Sequence, residues 1–191
     1  VYVATSMRNK HEYVFVSEVA NHIFSSPKLQ RLKIRYFDPT QAYCADRIDK
    51  GISEALMLKR AFCTLYLAQE IDTFGKDSEL ASTLAQGKPV IAYLPRIEDK
   101  DDYIEKHILK LQKLYPQESE REIILSQMRI FAPQLAWTHP DVMKWVQRID
   151  DMEIDIAKHM LAETVSSHYE KRAKRFKEIH PLGVQVNIET G

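Results

Sequence analysis

Two apolar segments, Phe62 to Leu67 and Pro89 to Leu94, flank the run Phe74-Gly75-Lys76-Asp77-Ser78-Glu79-Leu80-Ala81 and the stop signal Gln86-Gly87-Lys88. An unbroken apolar run suits a strand covered on both faces. The intervening segment has the length of a crossover helix joining two parallel strands. Ser78 to Gln86 is the expected helix, Gly87 its stop, and Asp77 its candidate N-cap. Glu79 then sits on the first helical turn, beside the carboxyl end of a parallel strand, where open α/β sheets bind their ligands. Free N–H groups at such a helix start can receive a phosphate or ribose oxygen.

The same alternation runs through the first half of the chain. Val1 to Ala4 reads as a strand, and Thr5 to Asn9 as the polar loop after it. From about Lys10 to Ser25, the spacing of Val14, Val16, Val19, Ala20 and Ile23 is helical. Leu32 to Phe37 alternates and ends at Asp38-Pro39, as a strand and turn do. Arg47 to Ala61 is helical, with Ile48, Ile52, Ala55, Leu56 and Leu58 as inward candidates. The expectation is an α/β fold with a doubly wound, flavodoxin- or Rossmann-like parallel sheet over residues 1–97.

After Pro95 the pattern changes to helices at Ile104 to Leu114 and Glu120 to Met128, and Ile130 to Trp137 reads as a possible edge strand. Asp141 to about Ile179 is helical with a break. Its apolar stripe would comprise Val142, Trp145, Val146, Ile149, Met152, Ile156, Met160 and Leu161. Residues 98–191 are therefore expected as a helical extension that completes or is appended to the core. The opening strand and the final Asn187 to Gly191 segment suggest a domain cut from a longer chain, with a further domain beyond it.

Lys+Arg and Asp+Glu are balanced at 27 each, so no net field draws nucleic acid or an anionic membrane. No apolar run approaches the ~20 residues of a membrane span. The two cysteines, Cys44 and Cys63, lack metal spacing, and a reducing cytoplasm is the expected location. The seven histidines form no ligand pattern, so neither a metal nor another cofactor is expected. The basic run Lys171 to Arg175 reads as a solvated helix face.

In a parallel sheet the loops after successive strands share one edge. Ser6-Met7-Arg8, Asp38-Pro39-Thr40 and the Asp72 to Glu79 segment should therefore face one cleft. Glu54 reaches it only if its helix runs beneath those loops. A hydroxyl at Ser6 and a guanidinium at Arg8 can both grip phosphate oxygens.

Val1 to Arg8, the apolar strand at Phe62 to Leu67, Gly75 to Ala81 and Gly87-Lys88-Pro89-Val90 together resemble the nucleoside 2-deoxyribosyltransferase-like superfamily. That group includes deoxynucleoside-monophosphate N-glycosidases and is close in architecture to TIR-type NAD-cleaving domains. The resemblance covers approximately Val1 to Pro95. It implies a glutamate nucleophile at the anomeric carbon, which falls on Glu79, and a second acidic residue, which falls on Glu54 where the family usually has aspartate. It assigns ribose or 5′-phosphate binding to the first-strand loop with Ser6 and Arg8. Tyr2 would orient the nucleophile, Asp72 or Asp77 would contact sugar or base, and Lys76 a phosphate, with Ser78 beside them. The implied activity is cleavage of the N-glycosidic bond of a nucleoside, nucleotide or NAD-like dinucleotide, by hydrolysis or transfer. Family members commonly share sites across subunits, so a homo-oligomer is expected. Two other classes fit the residues: a nucleotide-binding sensor without catalysis, and a structural domain built on the C-terminal helices. In the plainer reading, Glu79 is a dipole-favoured acid on a first turn. Glu54 is then a solvated helix residue, Lys76 a solvent-exposed group and Arg8 a surface salt-bridge partner. Tyr2 is a core residue, Asp72 a solvated turn residue and Ser6 a turn hydroxyl.

Overall fold

The computed structural model describes residues 1–71, 73–136, 151–178 and 186–190, with side chains described for 1–71, 73–131 and 151–176. Its elements are β1 (Tyr2–Ala4), α1 (Lys10–Phe24), α2 (Pro27–Arg31), a 3-10 turn (Pro39–Gln41), α3 (Arg47–Arg60), β2 (Thr64–Leu67), α4 (Phe74–Ala85), β3 (Val90–Leu94), α5 (Lys100–Leu114), α6 (Glu120–Ala136), α7 (Ile154–Glu178) and β4 (Val186–Thr190). The fold is α/β. The strands form an open, parallel sheet in the order β1-β2-β3-β4. Two compact units emerge: residues 1–94 with 175–191, and residues 95–174.

In the first unit, strand parity separates two surfaces of the sheet. Val3, Leu65 and Leu67 form one apolar cluster with Val16 of α1, flanked by Val19, Ile23 and Phe24. Residues of the opposite parity meet α4. The hydroxyls of Thr64 and Thr83 lie 2.7 Å apart, and Tyr66 donates to Asp77 Oδ1 at 2.7 Å. β2 is buried along its whole length, its leucines in the apolar cluster on one face and the hydroxyls of Thr64 and Tyr66 bonded to α4 on the other.

α4 departs from the helix expected over Ser78 to Gln86. It starts at Phe74, not Ser78, because the Thr73 side chain caps it by accepting from Lys76 N. Asp77 is therefore inside the helix, and Glu79 lies on its second turn. The other end is as expected: Gly87 has φ 67°, with Gly87 N donating to Leu84 O and Lys88 N to Thr83 O. This left-handed residue and its paired bonds close the helix as a Schellman motif.

Leu32 to Phe37 is not a strand. Lys33 turns back with φ 50° and residues 32–36 are exposed. Pairing is confined to Phe37, which bridges Tyr2 in parallel and bonds Val1 O and Val3 N. α3 also presents the face opposite to the one expected. Ile48, Ile52 and Leu56 are 72%, 53% and 60% exposed, Ala55 is exposed too, and only Leu58 is buried. The inward face carries Lys50, Ser53, Glu54, Met57 and Leu58 instead. Helical spacing defines a stripe but does not say what the stripe faces.

The second unit packs α5, α6 and the greater part of α7. Asp99 caps α5 by accepting from Asp101 N and Asp102 N. Ile104, Ile108 and Leu111 of α5 are buried, as are Ile123, Ile124, Met128 and Phe131 of α6. This helical spacing carries α6 through Ala136, in place of the strand expected from Ile130; Trp137 lies outside the described residues. The buried stripe of α7 is Ala157, Leu161, Ala162, Val165 and Tyr169, and Ile156 is 49% exposed. Val142, Trp145, Val146 and Ile149 fall outside the described residues. Among the described residues no helix is long and apolar enough to cross a membrane.

Candidate functional site

α4 faces the sheet through Lys76, Glu79, Leu80, Thr83 and Leu84, a spacing that puts one cation and one carboxylate into an otherwise packed seam. Thr83 Oγ1 anchors this seam, bonding both the Thr64 hydroxyl and Glu79 O. Tyr2, the first residue of β1, is fully buried and donates its phenol to Glu79 Oε1 at 2.7 Å. Glu79 Oε2 is buried and accepts no hydrogen bond from the described residues. One carboxylate oxygen is thus fixed and the other left bare.

Burial pushes the Glu79 carboxyl up to about 7. The Tyr2 hydrogen bond pulls it down, the Glu54 carboxylate pushes it up and the Lys76 ammonium pulls it down. Tyr2 itself is held above its ordinary range, first by burial and then by Glu79 and Glu54. Glu54 is raised by burial and lowered by Lys50, whose ammonium stands 3.9 Å away. Its Oε1, the oxygen that faces Lys50, is likewise buried and accepts no hydrogen bond from the described residues. Glu54, Glu79 and Tyr2 therefore form one electrostatic group, which α3 enters from its inward face.

Lys76 is 1% exposed. Its Nζ donates to Leu67 O at 3.2 Å and Ile71 O at 3.3 Å, and stands 5.0 Å from the centre of the Tyr66 ring. Burial lowers this ammonium to about 8, against the attraction of Asp77, Glu12 and Glu79. It holds the chain leaving β2 against the helix start.

The remaining expected residues are dispersed around this group. Ser6 is 1% exposed; its N–H donates to Gln69 Oε1 at 2.6 Å, and its Oγ has no partner among the described residues. Arg8 is exposed. Asp77 is an exposed residue that accepts from Tyr66, and Ser78 is exposed with its hydroxyl donating to Gly75 O. Asp72 lies outside the described residues.

Five residues were not anticipated. Tyr66 positions Asp77. Gln69 ties the loop after β2 to the loop after β1 through Thr5 Oγ1 and Ser6 N. His11 and Glu70 form a buried pair at 3.0 Å, the imidazole being raised on balance by Glu70 and Glu12 although burial opposes it. Glu12 is 3% exposed, and its Oε2 accepts from Arg8 N and Asn9 N. The Asn9-x-x-Glu12 spacing at the helix start is a capping signature and was the available signal for Glu12. Among the described residues no group of three or more His, Cys, Asp or Glu could hold a metal ion.

No family model, curated protein or solved structure matches the chain.

Proposed function

We propose that this protein cleaves the N-glycosidic bond of a nucleoside, nucleotide or NAD-like dinucleotide, with Glu79 as nucleophile. The observation that carries the reading is the Tyr2–Glu79 pair: one oxygen is held at 2.7 Å while the second, buried, accepts nothing. A carboxylate in that state can attack an anomeric carbon along one direction.

The steps balance with two carboxyl groups. Glu79 Oε2 bonds to C1′ as the C1′–N bond breaks and the base leaves with the electron pair. A nucleoside or nucleotide base also takes a proton from Glu54. Nicotinamide leaves NAD⁺ neutral and needs none, Glu54 then starting as the carboxylate. Water then attacks C1′, Glu54 takes its proton, and Glu79 is released. The upward shift of Glu54 by burial supports its role as proton donor. A second base in place of water would give transfer.

The strand order supports the location. A doubly wound sheet would place its second strand where Phe37 bridges Tyr2, outside β1, and would change its direction of winding between β1 and β2. Ligands of such sheets bind at that reversal, beyond the carboxyl ends of the strands; α4 follows the carboxyl end of β2, and Tyr2 reaches its Glu79 from the amino end of β1. Cys44 and Cys63 are free thiols, compatible with a reducing cytoplasm. The expected homo-oligomer has a candidate face in the exposed Ile48, Ile52 and Leu56 of α3.

The test is incubation with NAD⁺, nucleosides and nucleoside monophosphates, following free base by chromatography. Release by wild type and none by Glu79→Gln is the expected result. Saturable binding without release would make the protein a nucleotide-binding sensor, and equal release by the variant would remove Glu79 from the chemistry.

A further inference from the structure

The loop that leads from β2 into α4 is fastened at two adjacent residues by ties of different kinds. Gln69 Oε1 accepts from Thr5 Oγ1 at 2.9 Å and from Ser6 N at 2.6 Å, all neutral partners. Glu70 Oε2 instead lies 3.0 Å from His11 Nε2, and both side chains are buried. The first tie is indifferent to pH, whereas the second sets a carboxylate against an imidazole.

A second carboxylate bears on the same ring. Glu12 follows His11 in α1 and is 3% exposed. Among the described residues, the charged groups that act on the imidazole are Glu70 from the loop and Glu12 from its own helix, and the Phe15 ring packs 5.8 Å from it between centroids. Burial pushes the imidazole down, but the Glu70 hydrogen bond and the charges of Glu70 and Glu12 outweigh it and hold it above its ordinary value. With its proton, the imidazole compensates a buried carboxylate. Without it, that compensation is lost and keeping the carboxylate buried becomes costly.

The two carboxylates are not held alike. Glu12 Oε2 accepts from Arg8 N and Asn9 N, which fixes it to the start of α1. Glu70 lies in a loop and is the member that can turn to solvent. Its movement would reach α4, because Lys76 donates to Ile71 O in the same loop and Thr73 caps the helix.

We propose that His11 and Glu70 form a proton-operated latch. The imidazolium holds Glu70, and with it the entry to α4, against α1; loss of its proton to solvent releases Glu70 while Gln69 keeps its grip. The tie is fully present below 6.5, the ordinary value of a histidine, and weakens as pH rises through the higher value in the folded protein. The latch acts on the segment that leads to Glu79 and does not rest on the chemistry assigned to that residue.

Hydrogen–deuterium exchange of the peptide covering residues 68–76, with labelling times scaled for the intrinsic effect of pH, tests the latch. In wild type, uptake should be at least ~threefold faster at about pH 8.5 than at about pH 5.5. In His11→Gln the two conditions should give the same uptake. Equal uptake by wild type in both conditions overturns the proposal. So does a pH difference that persists in His11→Gln, because Lys76, at about 8, or Glu79, at about 7, would then be responsible. A second readout stands even if His11→Gln does not fold: titration of the His11 imidazole by NMR in wild type and Glu70→Gln. The midpoint should lie above 6.5 in wild type and fall by about one unit or more in the variant. A wild-type midpoint at or below 6.5, or none of that fall in Glu70→Gln, overturns the latch. Neither readout involves turnover, so an absence of base release bears on the N-glycosidase reading alone.

Discussion

Glu79 is kept near neutrality by its surroundings, and this has consequences for stability as well as chemistry. Its carboxyl rises from 4.5 to about 7 in the folded protein, burial being the main cause. Between those values the folded state binds more protons than the unfolded one, so stability falls as pH rises from about 4.5 through about 7. Glu79→Gln removes that penalty and should stabilise the protein by about 1–3 kcal/mol at pH 8, with little difference at pH 4.5. Thermal unfolding of both proteins at the two pH values checks it. For activity the sign reverses: the nucleophile must be ionised, so base release should climb through about pH 7. Tyr2→Phe deletes a hydrogen bond that lowers the Glu79 pKa, and should move that limb upward and cost roughly tenfold in kcat at pH 7. A drop equal at all pH values would mean that Tyr2 acts by packing alone. Glu79 and Tyr2 were readable as candidates from a strand, a loop and a glutamate in order. The burial of Glu12 was not, because a capping box reads as a local device until its buried, half-satisfied carboxylate is seen.

At the scale of elements, α4 carries the site because its start is fixed from three directions. Thr73 caps it, Tyr66 holds Asp77, and Lys76 reaches back to the carbonyls of Leu67 and Ile71. Lys76→Met should leave those carbonyls unpaired and cost about 1–3 kcal/mol, measurable by urea denaturation. Because the ammonium also lowers the Glu79 pKa, the same variant should shift the acid limb of the pH profile upward. An unchanged profile would separate Lys76 from the carboxylate. The strands and α1 were legible because apolar runs and helical spacing coincide with clear breakers such as Gly87. The start of α4 was not, since Thr73 and Asp77 are both acceptable caps and only packing chooses between them. Leu32 to Phe37 alternates as a strand does, yet the turn at Lys33 leaves only Phe37 to pair.

Across the whole molecule, α3 has two dissimilar faces. Its inward face delivers Glu54, and its outward face exposes Ile48, Ile52 and Leu56. Sequence periodicity located the apolar stripe and assigned it to the core, because a solvent-facing stripe and a core-facing one share the same spacing. If that stripe is the contact between copies, Ile52→Glu should yield a smaller species in sedimentation velocity while the circular dichroism spectrum stays unchanged. Identical sedimentation of both proteins would exclude this face as the contact. The C-terminal strand β4 pairs with β3 along Val90 to Leu94, so residues from both ends of the chain share one sheet. That pairing was not legible, because a late five-residue strand carries no signal naming its partner.

The most direct test of Glu79 as nucleophile is a covalent trap. The protein would be incubated with a slow 2′-fluorinated nucleoside or NAD analogue, quenched, digested and mapped by mass spectrometry. The account predicts a sugar adduct on the peptide containing Glu79, absent from Glu79→Gln. Base release without any adduct at Glu79, or an adduct on another carboxylate, would contradict it.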